Sequence, residues 1–269
     1  MKKSLRLTET AIMIALGFIL SMLKIIDMPF GGSVTAFSML PVIVIAFRHG
    51  TPWGLLAGFA ASLLQMLMGL KNLTYATSAG AVIAIIMLDY IAAFAVMGLG
   101  GIFKGKIKDQ GISLAAGALT VCILRYACHV ISGCTVWMGV SIPTTDGLLY
   151  SFAYNAAYMI PETIITVVGA YFAGKVFTLS SERIKRVPLD TGSARNLVSS
   201  IPAALSAVIS FVLIFAMIQT EEGFDITAIK QSKIFEWMPV IISLAVGTAA
   251  TVVIKIGWRL KDKKQRETK

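Results

Sequence analysis

Residues 112–136 read ISLAAGALTVCILRYACHVISGCTV, and this run decides the class of the protein. An α-helix needs about 20 mostly apolar residues to cross the hydrocarbon core of a bilayer, and this run is longer than that. It contains one arginine, Arg125, and one histidine, His129, and neither lysine nor a carboxylate. Because ionisable groups are costly inside a membrane, these two residues mark a candidate functional site within a spanning helix.

The rest of the chain has the same apolar character. Of its 269 residues, 57% are hydrophobic and 14% are charged, whereas a soluble domain carries about 25% charged residues. The mean hydropathy is +0.80. The alternating segments of about 10 residues that build a membrane β-barrel do not occur, so we predict an all-α integral membrane protein. The predicted spans are 8–26, 34–47, 52–70, 78–103, 112–136, 147–177, 200–219 and 237–258.

The net charge of +10 is distributed unevenly between the predicted loops. If both termini are cytoplasmic, most lysine and arginine residues lie on the inside, as the positive-inside rule requires. The few basic residues that then lie outside are Lys24, Lys71, Lys230 and Lys233. The basic tail from Lys255 is then a topology anchor that faces anionic lipid. The net positive charge therefore does not indicate a nucleic-acid partner. We therefore predict a multi-pass protein of the cell membrane with both termini in the cytoplasm.

Composition also divides the chain into parts. The first six spans occupy residues 1–178 and are joined by short connections. A polar stretch over residues 179–200, with Pro188, Asp190 and Gly192, is a predicted cytoplasmic linker. Residues 201–269 follow as a two-span hairpin with the basic cytoplasmic tail.

Two apparent motifs do not indicate chemistry. Gly100–Ile107, GGIFKGKI, has the spacing of a phosphate-binding loop, but Ile107 stands where serine or threonine would hold magnesium. It also ends a spanning helix, whereas such a loop follows a strand and opens a helix. Cys122, Cys128 and Cys134 are six residues apart, so they point in three directions around one helix. We predict no catalytic residue, no metal site and no cofactor, and no ATP hydrolysis by this chain itself.

The ionisable residues within the spans are the candidates for function. Arg125 and His129 are four residues apart and share a helix face. Asn155, Tyr158 and Glu162 share a face of the sixth span. We predict a structural ion pair between Arg125 and Glu162, with Asp89 of the fourth span as the competing partner of Arg125.

A second group of residues lies in the outer half of the predicted bundle. These residues are Asp89, His129, Trp137, Tyr150 and Asn155. They combine a carboxylate, an imidazole, a carboxamide and aromatic rings, with no cluster of basic residues at the outer mouth. Such a pocket suits a small, flat molecule that is cationic or carries an amine, because aromatic faces attract cations and a carboxylate orients them.

Three segments resemble a known family: RYACHVISGCTVW at 125–137, YSFAYN at 150–155 and LDY at 88–90. They are similar to the thiamine-specific substrate-binding (S) components of energy-coupling factor (ECF) vitamin transporters, over about residues 5–178. The resemblance implies a six-helix bundle that captures thiamine from outside. It also implies an ECF coupling transmembrane subunit and two ATPase subunits as partners.

The same resemblance assigns roles to residues. Asp89 would bind the aminopyrimidine, with Tyr90 nearby, and the loop 27–35 would act as the gate. The residues that would line the rest of the pocket are His129, Trp137, Tyr150 and Asn155. Ala11 and Ala15 on the first helix would contact the coupling subunit, because small residues four apart permit close helix approach. The chain departs from the family in its two-span hairpin, which has no counterpart there.

Other functions remain open from the sequence. The pocket would also suit a thiamine precursor or another vitamin. A hydrolase within the membrane would use Arg125, His129 and Glu162, although paired catalytic motifs are absent from the sequence. A proton-coupled carrier would use Asp89 or Glu162 as its proton site.

Overall fold

The structure is a computed structural model. It describes residues 3–28, 31–76, 78–134, 145–180, 182–187, 191–220, 223–224 and 232–267. The chain forms two compact units, Met1–Arg186 and Val187–Lys269, which are described separately.

The first unit is built from helices. Helix α1 is Lys3–Met22, α2 is Leu40–His49 and α3 is Thr51–Met68. A continuous helical segment, Ala79–Gly101, comes next. Helices α6, Gln110–Ser132, and α7, Thr145–Val176, complete the unit. Across both units, seven helices of the described residues are long and apolar enough to cross a membrane, which confirms the all-α membrane class.

The segment between α1 and α2 differs from the sequence prediction. Helix α1 ends at Met22, and β1, Lys24–Asp27, pairs antiparallel with β2, Ser33–Thr35. The predicted second span, 34–47, is therefore wrong at its start, because α2 begins only at Leu40. Hydropathy averaged over a window cannot separate an apolar strand from an apolar helix. We call residues 24–35 the entry hairpin.

The entry hairpin reverses direction with the help of a glycine. Gly31 has a φ of 98°, a conformation that residues with a Cβ rarely adopt. The amide of Met28 donates a hydrogen bond of 2.8 Å to the carbonyl of Gly32 and closes the described side of the turn. Helix α2 then begins with Pro41 in its first turn, where a missing N–H costs nothing.

The fourth spanning segment is not a regular α-helix. It begins as α4, Ala79–Ile85, and continues as a π-helical turn, Ile86–Ala92. A short α5, Ala93–Ala95, and a 3₁₀ turn, Val96–Gly101, follow. Each change of winding rotates the side chains that follow, and π turns occur often at functional sites. Asp89 and Tyr90 both lie on the π turn.

The core of the first unit surrounds α2. Residues 41–48 of this helix are all buried, so a helix that is too short to cross a membrane lies within the bundle. Up to Phe47 this helix is apolar on every side, as an enclosed helix is expected to be, and only Arg48 and His49 at its end are polar. The fully buried side chains of this core include Ile43 and Ile45 of α2 and Leu114 and Val121 of α6.

The second unit contains two long helices. Helix α8 is Thr191–Ile218, and α9 is Met238–Glu267. Two short strands, β3 Gln219–Thr220 and β4 Gly223–Phe224, follow α8, and the 3₁₀ turn Ile234–Trp237 precedes α9. Residues 191–200 of the predicted linker 179–200 are therefore helical. The two helices approach closely, since a methyl group at Gly247 would lie 2.1 Å from Ser206 Oγ.

Candidate ligand-binding site

The centre of the candidate site is a contact between the fourth segment and α6. His129 Nδ1 lies 2.8 Å from Asp89 Oδ1, and Ser132 Oγ donates a hydrogen bond of 2.6 Å to Asp89 Oδ2. His129 and Ser132 are three residues apart on α6, so they face Asp89 together. The structure thus brings together two residues that the sequence predicted to converge, and it adds Ser132.

Arg125 extends this contact by one turn of α6. Its Nε lies 3.3 Å from His129 Nε2, and its guanidinium lies over the Phe94 ring at 4.3 Å from the centroid. An arginine N–H can only donate, so His129 Nε2 is the acceptor and the imidazole hydrogen resides on Nδ1. This assignment makes Nδ1–H the donor to Asp89. A neutral imidazole then links the positive charge of Arg125 to the negative charge of Asp89.

The predicted ion pair between Arg125 and Glu162 does not occur among the described residues. Glu162 instead accepts hydrogen bonds from the backbone N–H of Thr35 and, at 2.7 Å, from Thr35 Oγ1. Ser38 Oγ donates a third, longer bond of 3.4 Å. The prediction failed because residues 35–38, which were read as part of the span 34–47, lie at and just beyond the end of the entry hairpin and bring these donors to Glu162. Arg125 is linked through His129 to Asp89, the partner that the sequence left as its competitor.

Asn155 joins α7 to α6. Its Nδ2 donates to Ser151 O at 2.8 Å and to His129 O at 3.3 Å. Its Oδ1 accepts a hydrogen bond of 2.6 Å from the Tyr158 hydroxyl. Ser151 also donates from Oγ to the Val130 carbonyl at 2.8 Å. Asn155 therefore lies beside the Asp89–His129 contact, as the sequence predicted, and Ser151 is a further member that it missed.

Tyr150 reaches the site through two other tyrosines of α7. Its ring stacks on that of Tyr154, with centroids 6.2 Å apart and an interplanar angle of 13°. Tyr154 meets Tyr158 edge to face at 5.9 Å, and Tyr158 lies 6.2 Å from the His129 imidazole. The three tyrosines are four residues apart, so they form one aromatic stripe along α7.

Tyr90 is turned toward the end of α3. Its hydroxyl donates to Gly69 O at 2.9 Å and accepts from Asn72 Nδ2 at 3.2 Å. It therefore supports the π turn that carries Asp89, and these bonds do not join it to the His129 cluster. Trp137, which the sequence placed at the pocket, lies outside the described residues.

The two alanines predicted to contact a coupling subunit lie on α1. Ala11 and Ala15 are both exposed on that helix, whereas Gly17 is buried. In a spanning helix, an exposed side faces lipid or another membrane protein. Small residues on such a side permit close approach of a further helix.

The arrangement is suited to binding. It offers a carboxylate held by two donors, an asparagine amide and an aromatic stripe, all on helices that pack closely. Among the described residues, no group of three or more His, Cys, Asp or Glu side chains could hold a metal ion. Sequence reasoning missed Ser132 and Ser151, although their spacing from His129 and Asn155 was a usable signal.

Comparisons with known proteins agree with this architecture. The family model described as "Thiamine transporter protein (Thia_YuaJ)" matches residues 7–178. "Thiamine transporter ThiT" of Bacillus subtilis (strain 168) is 35% identical over 178 residues, which is 62% of this chain and 88% of the relative. "Thiamine transporter ThiT" of Lacticaseibacillus paracasei is 25% identical over 144 residues, covering 49% of this chain and 68% of that protein.

A solved structure also resembles this chain in fold. The structure of ThiT from Listeria monocytogenes aligns with a TM-score of 0.52 and 22% sequence identity. The alignment covers 65% of this chain and 96% of that chain. The family match leaves α8 and α9 outside it. The chain belongs to the thiamine transporter protein (Thia_YuaJ) family, which its first unit represents.

Proposed function

We propose that this chain is the high-affinity thiamine-binding subunit of an ATP-driven ECF-type uptake transporter. It captures thiamine from outside and delivers it inward by reorienting against a coupling protein. Family membership supports the substrate, and one contact carries the proposal: the Asp89 carboxylate held by His129 Nδ1 at 2.8 Å and Ser132 Oγ at 2.6 Å. That contact places a negative charge inside the bundle, where a cationic ligand can use it.

The chemistry of thiamine fits these groups. Its aminopyrimidine offers an N–H₂ donor beside ring nitrogens, and Asp89 is the acceptor that can receive this donor. Its thiazolium is a flat cation, which aromatic faces attract by about 0.5–2 kcal/mol. The stripe of Tyr150, Tyr154 and Tyr158, together with Trp137, would supply those faces. Asn155 would supply a further polar contact at the same level, and Tyr90 would hold the π turn in place.

The mechanism requires no covalent step. Ligand binding shifts the population toward the closed conformation by the difference in its affinity for the open and closed states. The exposed face of Ala11 and Ala15 would contact the ECF coupling transmembrane subunit, and two ATPase subunits would drive the reorientation. The protein would span the cell membrane several times, with both termini in the cytoplasm.

The direct test is calorimetric titration of the purified full chain with thiamine. We expect saturable heat at submicromolar to micromolar concentration with one site per chain. The isolated pyrimidine and thiazolium halves serve as controls, and each is expected to bind far more weakly than the joined molecule. A folded chain that releases no heat with micromolar thiamine contradicts the proposal. Uptake that stops when the proton gradient collapses while ATP is retained would instead indicate a proton-coupled carrier.

A methyl group at Gly133 is expected to weaken thiamine binding. It would lie 2.2 Å from Ser151 Oγ and 3.4 Å from Asn155 Nδ2, so Ser151 would have to leave its place between α6 and α7. Because Asn155 donates to Ser151, the Gly133→Ala change displaces the amide that faces the site. We expect about tenfold weaker binding, the effect of disturbing one buried hydrogen-bonded contact. Calorimetry of Gly257→Ala is the control, since a Cβ at that helical position of α9 meets no atom within 4 Å. Equal affinities for the Gly133 variant and the unaltered chain would contradict this prediction.

A further inference from the structure

Glu162 is a buried carboxylate whose hydrogen-bond donors come from one short segment. It is 3% exposed, and it lies on α7. The donors are the backbone N–H and hydroxyl of Thr35 at the end of β2, and the hydroxyl of Ser38 just beyond it. Thr35 Oγ1 also lies 2.6 Å from Ser38 Oγ, so the two hydroxyls form one cluster around Glu162 Oε1. These bonds join the entry hairpin to α7.

A second contact joins the same hairpin to the same face of α7. A methyl group at Gly32 would lie 2.6 Å from carbons of the Tyr158 ring, so the backbone before β2 rests directly on that ring. Tyr158 precedes Glu162 by four residues, which is about one helical turn. The two ends of β2 therefore rest on adjacent turns of one helix.

Tyr158 connects this hairpin contact to the candidate site. Its hydroxyl donates to Asn155 Oδ1 at 2.6 Å, and its ring lies 6.2 Å from the His129 imidazole. A ligand beside Asn155 and His129 would thus touch or shift the ring on which Gly32 rests. The hairpin therefore contacts two residues of α7: Tyr158, which belongs to the site, and Glu162.

The energetics favour a closed hairpin. A carboxylate out of water is costly unless its oxygens accept hydrogen bonds. Displacement of the hairpin would remove the Thr35 donors from Glu162 in a segment that crosses the membrane. The carboxylate therefore gives the hairpin a strong preference for its seated position, stronger than an apolar contact of the same size would give.

We propose that Glu162 is a positioning residue that fastens the entry hairpin over bound thiamine and so controls the rate at which thiamine escapes. This inference rests on the proposed function and extends it to a residue that contacts the hairpin and not the ligand. Gly32 and Tyr158 form the second attachment, next to the ligand. Glu162 sets how long the hairpin stays seated, whereas Asp89 and the aromatic stripe set which molecule is held.

The first experiment measures thiamine dissociation from Glu162→Gln by stopped flow. Glutamine keeps the size of the side chain but replaces one of the two carboxylate oxygens, which accept separately from the Thr35 N–H and hydroxyl, with an N–H₂ donor, and it removes the negative charge. We expect dissociation to be about ten to a hundred times faster, the effect of losing one charge-assisted hydrogen bond, with little change in association. Thr35→Val removes the hydroxyl and retains the N–H, so it is expected to show an intermediate rate. Thr35→Ser keeps both donors and is expected to match the unaltered chain.

A matched control separates this effect from a general loss of stability. Glu9→Gln makes the same change of carboxylate to amide on α1, where Glu9 pairs with Arg48. We expect this variant to unfold at a lower temperature and to keep the thiamine dissociation rate of the unaltered chain. Equal acceleration by Glu9→Gln and Glu162→Gln would overturn the inference, because the rate would then follow stability alone.

Hydrogen exchange tests the attachment without any ligand. The Thr35 amide is expected to exchange slowly in the free protein and much faster in Glu162→Gln, while amides of α3 keep their rates. If thiamine fails to bind, the proposed function is wrong, and exchange at Thr35 still decides whether Glu162 fastens the hairpin. If thiamine binds but neither dissociation nor Thr35 exchange responds to Glu162→Gln, the function stands and the fastening role is rejected.

Discussion

Replacing Asp89 with asparagine is expected to weaken thiamine binding by at least about a hundredfold, the effect of losing charge-assisted hydrogen bonds in a buried site. The change removes the negative charge that Arg125 balances through His129. Asparagine also replaces with an N–H₂ donor one of the two oxygens that accept from His129 and Ser132 in the structure. A cationic ligand would then enter a site with excess positive charge and one mismatched donor. Calorimetry with thiamine measures the loss directly.

Two controls define the cause of the Asp89 effect. Asp89→Glu keeps the charge on an arm longer by one methylene group, and we expect it to bind within about tenfold of the unaltered chain, as for a shifted but retained hydrogen bond. Asp109→Asn removes a carboxylate at the start of α6, where Asp109 accepts from Lys175 and from the Ile112 amide. It is expected to leave thiamine affinity unchanged. Binding by Asp89→Asn at the affinity of the unaltered chain would show that Asp89 does not contact the ligand.

The sequence predicted the parts of this site that depend on helix periodicity. Arg125 and His129 are one turn apart, and their shared face follows from 3.6 residues per turn. The cost of ionisable groups in a membrane identified Asp89 as a partner without any structure. These arguments work because a spanning helix must satisfy its own backbone, which leaves few alternative geometries.

The remaining contacts depend on backbone geometry that could not be predicted from the hydropathy of the sequence. The π turn that carries Asp89 and Tyr90 is a local change of winding in a run that reads as a plain helix. The last residues of the entry hairpin, 34 and 35, and Ser38 after them fell within the predicted span 34–47. Because Glu162 bonds to that hairpin, its partner could not be inferred while residues 34–47 were read as a span. The wrong start of the second span thus led to the wrong partner for Glu162.

The second large effect is expected at the opposite end of α7 from the site. Arg48 is 8% exposed at the end of α2. It pairs with Glu9 of α1 through Nε and, at 3.0 Å, through Nη2. Its Nη1 donates to Leu179 O at 2.7 Å, and Lys104 Nζ donates to the Arg48 carbonyl at 2.9 Å. The Arg48 side chain therefore ties α2 to α1 and to the segment that follows α7, and its backbone carbonyl binds Lys104.

Arg48→Met is expected to lower the free energy of unfolding by about 3–5 kcal/mol, the cost of removing one partner of a buried ion pair. The loss arises because Glu9 loses its arginine partner and keeps only the longer contact with His49 at 3.5 Å, and because the Leu179 carbonyl loses its donor. Scanning fluorimetry in detergent should show unfolding about 10 °C lower, from the usual relation between stability and midpoint temperature. Arg48→Lys keeps the charge but cannot form the paired bonds of a guanidinium. Its unfolding temperature is expected to lie between those of Arg48→Met and the unaltered chain.

The pairing argument predicts a specific rescue. If the cost comes from an unpaired Glu9 charge, adding Glu9→Gln to Arg48→Met should recover part of the lost stability, since no buried charge then lacks a partner. Thiamine affinity at low temperature should stay unchanged in Arg48→Met, because Asn155 and the end of α7 are roughly 30 Å apart along the helix. Lys106→Met, at an exposed position two residues after Lys104, controls for loss of a surface charge. An Arg48→Met chain that unfolds at the temperature of the Lys106 variant would show that the Arg48 contacts contribute nothing to stability.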